Sequence, residues 1–129
     1  MYKRQELGRD ATPLEAGLDR FVDLSKDFFG KESMLEHGIT TKCVTLLIDG
    51  PKDADPWGSE AVYLDGKRVG RLTSGGYSVA FSQSIGMGYV KPDLATLGQK
   101  LQVKMFDKLW DAVVTEDSPY DPSNTNIRI

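Results

Sequence analysis

The sequence predicts a mainly β protein: an antiparallel barrel of six to seven short strands, closed or nearly closed, with one short N-terminal helix. Three observations carry that prediction. From Thr40 onward, short aliphatic and β-branched runs alternate with turn residues at hairpin spacing. Asp65-Gly66, between two such runs, suits the positive φ angles of a two-residue type I′ hairpin. At 129 residues the chain fits one domain, and closing the sheet hides the strand edges that so small a protein otherwise exposes.

In chain order, Gly8 to Gly17 lacks periodic apolar residues and reads as a surface-crossing loop. Leu18 to Leu24 reads as a strand, with Leu18, Val22 and Leu24 facing inward. Ser25 is then placed as a helix N-cap, Asp27 supplies negative charge near the positive end, and the helix is expected from Phe28 to Glu36. His37 falls in its last turn and Gly38 at the C′ position. Lys42 to Ile48 is the first strong strand, ending at Asp49-Gly50-Pro51. Lys52 to Gly58, interrupted by Pro56, reads as an exposed loop. Strands follow at Glu60 to Leu64, Lys67 to Leu72, Tyr77 to Phe81 and Ile85 to Val90, the last stopped by Lys91-Pro92-Asp93. Lys100 to Phe106 and Leu109 to Thr115 form a final pair around Asp107-Lys108. Ser118 to Asn126 is a polar, proline-marked tail.

Composition narrows the function classes. A net charge of -3 argues against a nucleic-acid partner, which requires a basic face. No apolar run approaches the roughly 20 residues needed to span a bilayer, and Met1 to Glu6 hold no signal-peptide stretch, so no membrane partner is expected. A single cysteine, Cys43, forms no internal disulfide, which favours a reducing compartment and a cytoplasmic location. One Cys and one His are too few for a structural zinc site.

The residues that bear chemistry mostly have structural explanations. His37 is accounted for by the helix C-terminus, and Cys43 by a half-buried place in a strand. Asp49, Asp53 and Asp55 lack the glycine and twelfth-position ligand of a calcium loop and read as solvated. Gly70 to Ser78 is the most unusual segment. Its Thr73, Ser74 and paired Gly75-Gly76, with Arg68 or Arg71 nearby, are open to two readings: an anion-binding nest, or glycines turning a barrel corner. Alternate glycines in Ile85 to Val90 point to close backbone packing, because no helix follows to make a phosphate fingerprint.

Four motifs in order carry a resemblance across nearly the whole chain. They are Thr12-Pro13-Leu14-Glu15-Ala16-Gly17-Leu18, Lys26-Asp27-Phe28-Phe29-Gly30-Lys31-Glu32, Asp65 to Gly70 followed by Thr73-Ser74-Gly75-Gly76-Tyr77-Ser78, and Ser84 to Val90. Together they resemble the C-terminal barrel of the glycine-cleavage T-protein (aminomethyltransferase) family, and most closely the aminomethyltransferase-like part of dimethylglycine and sarcosine dehydrogenases. The resemblance implies a lead-in over residues 1–17 and a barrel domain over 18–129, with the catalytic N-terminal folate domain expected before Met1. It also implies transfer of a one-carbon unit from an aminomethyl or N-methyl amine to tetrahydrofolate, with this domain capping the folate channel. No catalytic residue is expected here, no folate is expected to bind this chain tightly by itself, and the chain alone is expected to be inactive. Folate contacts are expected from Thr73, Ser74 and Tyr77, which would lie towards the missing domain. Further contacts are expected from Arg4, in the register of a family aromatic, from Tyr2, two positions away, and from Tyr120, the aromatic nearest a C-terminal family tyrosine. The implied partner is the N-terminal folate-binding domain, or a second copy in a homodimer through the exposed interdomain face. The implied location is the cytoplasm, or the mitochondrial matrix in a eukaryote. Two rivals remain at this point: a folate-binding relative with a non-transferase role, and a free-standing β-barrel interaction module.

Overall fold

The computed structural model describes residues 6–52, 55–126 and 128. Six strands build the fold: β1 (Lys42–Ile48), β2 (Ala61–Leu64), β3 (Lys67–Ser78), β4 (Gln83–Val90), β5 (Lys100–Met105) and β6 (Lys108–Thr115). They close as an antiparallel barrel in the order β1-β4-β3-β2-β5-β6, with β6 returning to β1. One helix, α1 (Lys31–His37), and single 3-10 turns at Asp19–Phe21 and Pro92–Leu94 complete it.

Strand alternation fills the interior. Val44, Leu46 and Ile48 of β1 point inward, as do Leu101, Val103 and Met105 of β5 and Ala112 and Val114 of β6, and all are buried. Val62, Leu72 and Val90 complete the core. The alternate glycines do what their spacing predicts. A β-carbon on Gly88 would collide with the Arg71 carbonyl oxygen and stand 2.8 Å from Leu72 Cα, and one on Gly86 would crowd the Leu72 and Ile48 side chains; across the pair on β3, one on Gly70 would collide with the Tyr89 carbonyl oxygen. Only glycine allows β3 and β4 to approach this closely.

The Asp65-Gly66 hairpin forms as expected, with φ of 49° and 73° at its two central residues. The β5–β6 turn lies one residue earlier than expected. Met105 pairs with Lys108, so Phe106 and Asp107 are its central residues, at φ 48° and 62°. The strand expected over Leu18 to Leu24 does not form; the segment makes the 3-10 turn Asp19–Phe21 instead. A closed six-stranded barrel leaves no edge for a seventh strand to join. The helix starts at Lys31 rather than Phe28, and Ser25 is not its cap. The Ser25 hydroxyl instead donates to Asp23 Oδ1 at 2.6 Å, while Gly30, at φ 87°, breaks the chain just before α1. Gly38 ends the helix as expected, its N–H donating to the Met34 carbonyl.

The segment Thr73 to Gly76 is not a loop. It lies inside the long strand β3, and the strand expected from Tyr77 to Phe81 is the end of that same strand, which stops at Ser78. The β3–β4 register slips between Leu72 and Ser74, a bulge at Thr73, whereas Gly75 and Gly76 pair in regular register with Gly86 and Ile85.

Candidate functional site: the strapped outer face of β3, β4 and β1

The side chains between the core positions of β1, β4 and β3 point out of the barrel. Cross-strand pairing sets them in two rows: Cys43, Tyr89 and Arg71, then Thr45, Met87 and Ser74. The bulge adds Thr73 beside Ser74. Although outward-facing, Thr45, Thr73 and Tyr89 are buried, which requires something to lie over them.

Over Thr73 and Tyr89 the covering element is the segment from Glu6 to Gly17, while the Thr45 hydroxyl lies 3.4 Å from the Asp117 carbonyl beyond the end of β6. The Glu6 carboxylate accepts a short hydrogen bond from Ser74 Oγ and one of 3.0 Å from Thr73 Oγ1, which also lies 3.0 Å from the Met87 carbonyl. The Glu6 carbonyl accepts from the Tyr89 hydroxyl at 2.5 Å. Four residues on, Asp10 pairs with Arg71 at 2.6 Å. Thr12 and Glu15 then form a reciprocal capping box: the Thr12 N–H donates to Glu15 Oε2 at 2.9 Å and the Glu15 N–H to Thr12 Oγ1 at 3.2 Å.

Glu15 is wholly buried, and the other side of its carboxylate receives the Thr40 N–H and Thr40 Oγ1, each at 2.8 Å, and the Thr41 N–H at 3.0 Å. Its backbone carbonyl accepts from the Cys43 N–H at 2.8 Å, joining the lead-in to the start of β1. His37 Nε2 stands 3.5 Å from Glu15 Oε2, a contact that explains this histidine as well as its helix end does.

Electrostatics follow from this geometry. Desolvation favours a neutral Glu15, but the hydrogen bonds from Thr12, Thr40 and Thr41 outweigh it and hold the carboxyl down to about 2. The same balance, with Ser74 and Thr73 as donors, keeps Glu6 below its ordinary value. Burial, aided by the charges of Glu6 and Asp117, pushes the Cys43 thiol up to about 11. Burial with nearby anionic groups does the same to Tyr89, to about 12. A thiol that is this reluctant to ionise is a poor nucleophile.

Thr73 and Ser74, both expected site residues, are therefore brought together on one carboxylate of the chain itself. Tyr77 is half-buried near the end of β3 and Tyr120 is exposed in the tail; no hydrogen bond joins either to the Thr73–Ser74 pair among the described residues. Tyr2, Arg4 and Asp53 lie outside the described residues. No group of three metal-ligating side chains occurs among the described residues. A cleft of about 570 Å³ opens at the end of the barrel where β1 begins, with Arg20, Lys42, Cys43, Thr115, Asp117 and Ser118 in its walls. Glu6, Asp10 and Glu15 are the polar residues that sequence reasoning missed. A signal for Glu15 was present, because Thr12-Pro13-Leu14-Glu15 matches the capping-box pattern.

Comparison with known proteins gives a consistent result. A family model described as "Glycine cleavage T-protein C-terminal barrel domain" matches residues 42–121, from the first residue of β1 past the end of β6. Human mitochondrial dimethylglycine dehydrogenase is 38% identical over 119 residues, covering 87% of this chain and 13% of that protein. An aminomethyltransferase of Listeria welshimeri is 40% identical over 124 residues, covering 90% of this chain and 33% of that protein. The crystal structure of the glycine cleavage system aminomethyltransferase T from Bartonella henselae superposes with a TM-score of 0.75 at 23% identity, over 87% of this chain and 33% of that one, which shows a shared fold. The chain thus spans between an eighth and a third of the length of these proteins.

Proposed function

Because the chain belongs to the glycine cleavage T-protein family, whose C-terminal barrel domain its six strands form, we propose that it serves as the barrel of a tetrahydrofolate-dependent aminomethyltransferase-like protein. That protein transfers a one-carbon unit from an aminomethyl or N-methyl amine to tetrahydrofolate. The observation that carries this reading is the family match, which begins with β1 and includes every strand of the barrel. In it, residues 1–17 are the lead-in and residues 18–129 the barrel domain, with folate and catalysis supplied mainly by an N-terminal folate-binding domain.

The barrel's part is enclosure. A one-carbon unit passing through an iminium-like state must be kept from water, and the folate nitrogen must be held in line with it. A closed barrel meets that need without a reactive group of its own, consistent with a thiol held near 11 and a buried carboxylate engaged by Thr40 and Thr41. In this reading Thr73, Ser74 and Tyr77 face the folate-binding domain, Thr73 and Ser74 through the Glu6 segment that lies over them, with Tyr2, Arg4 and Tyr120 as further contacts. Compartment follows the host: cytoplasm, or the mitochondrial matrix in a eukaryote, a reading supported by the human relative whose name includes mitochondrial.

Calorimetric titration of tetrahydrofolate tests this directly, comparing the chain alone with a protein in which it follows the folate-binding domain. Tight binding only by the longer protein is expected. Tight binding by the chain alone would place the folate site in the barrel and overturn the division of labour. Phe21, Phe28, Phe29 and Leu35 leave apolar surface exposed, and in the absence of the preceding domain a second copy is the expected occupant. Sedimentation velocity over a wide concentration range should show a monomer–dimer equilibrium, and a strictly monomeric profile would count against it.

A further inference from the structure

Three acidic side chains of the lead-in, Glu6, Asp10 and Glu15, are each engaged by a different partner set on or beside the barrel. We infer that residues 6–17 are a strap, and that the Thr73, Ser74, Tyr89 and Arg71 face of β3 and β4 is its docking surface. The strap fixes the direction in which any polypeptide preceding Glu6 leaves the barrel. The inference concerns placement and is independent of the transfer chemistry proposed above.

Complementarity argues for it. The face presents three hydroxyls and one guanidinium, and the strap brings two carboxylates and a carbonyl to meet them. The bulge at Thr73 is what lets two consecutive hydroxyls reach one carboxylate oxygen, since in a regular strand neighbouring side chains point to opposite faces. Tyr89 donates to the strap's backbone and is only 6% exposed, so the cover is close. At the far end Glu15 anchors the strap to Thr40, Thr41 and β1, which leaves little freedom between the two attachments. A barrel attached in this way keeps a fixed orientation to whatever polypeptide precedes Glu6, because a swinging attachment would need a loose connection.

The single cysteine makes the strap measurable. Cys43 pairs across β1 and β4 with Tyr89, in the row the strap crosses. Because Cys43 is half-buried and also borders the cleft where β1 begins, its reaction with N-ethylmaleimide, a neutral reagent, has a baseline through the cleft common to every variant, and a rise above that baseline reports lifting of the strap. Ser74→Ala/Tyr89→Phe removes two hydroxyls and leaves every charge near the thiol in place. With each hydrogen bond shifting a local opening by roughly fivefold, the double variant should react about tenfold faster or more than the wild type. Glu6→Gln should also react faster. A rate within about twofold of wild type in the double variant overturns the strap. So does acceleration in Glu6→Gln alone, since that would show only the removal of a charge beside the thiol. Far-ultraviolet circular dichroism on each variant separates strap release from unfolding, and Ser74→Ala alone serves if the double variant does not fold, with an expected increase of about fivefold.

Discussion

Residues 42–115 and residues 6–41 of this chain are held in place by different physics. The barrel is an apolar interior closed on itself, with backbone brought against backbone wherever glycine permits. The N-terminal region buries little apolar side chain, Met34 being the one buried hydrophobic residue among the described positions before β1, and it leaves Phe21 and Phe29 in solvent. It is ordered instead by carboxylates that accept hydrogen bonds from the barrel and from its own backbone. A small chain can thus fold its core by hydrophobic burial and place its entry segment by directed polar contacts.

Substitutions should separate the two regions by size of effect. The largest is expected from Gly88→Val, whose side chain would collide with the Arg71 carbonyl and Leu72 Cα; a loss of about 3 kcal/mol or more is expected by urea unfolding. Leu46→Ala, in the fully buried core, should follow at roughly 3 kcal/mol in the same measurement. If either costs less than a strap substitution, the contrast between the regions is wrong.

Glu15→Gln removes the anion that Thr12, Thr40 and Thr41 hold, and about 2 kcal/mol is expected by thermal or urea melting. The same carboxyl predicts a pH dependence. Its folded value, about 2, lies below the unfolded value of 4.5, so its contribution is present above 4.5 and is lost as pH falls towards 2. The wild-type melting temperature should therefore fall across that window, and more steeply than that of Glu15→Gln. Gly66→Ala, at φ 73° in the hairpin, should cost about 1 kcal/mol. Phe29→Ala, in solvent, should change stability by less than about 0.5 kcal/mol in urea. A larger loss there would mean that the N-terminal region has apolar packing after all.

Local chemistry made most of the barrel legible. The β1 run Lys42–Ile48 and the Asp65-Gly66 turn follow from side-chain periodicity and allowed φ, which depend only on near neighbours. Leu18 to Leu24 had the same appearance and failed as a strand, because whether a strand can form depends on a free edge, and closure had used them all. The site was less legible than the fold. Thr73 and Ser74 stood out in the sequence, but as a loop, and nothing near them named Glu6 as their partner.

The sequence by itself thus determined the strands, the hairpin turn, the glycine positions where β3 and β4 meet, and the family resemblance. The tertiary structure decided that the barrel closes at six strands, that a bulge turns two hydroxyls to one side, and that Glu6 and Asp10 meet partners 67 and 61 residues away. The reason is range: propensity and periodicity act over a few residues, whereas a carboxylate finds its donors only after the chain between them has folded.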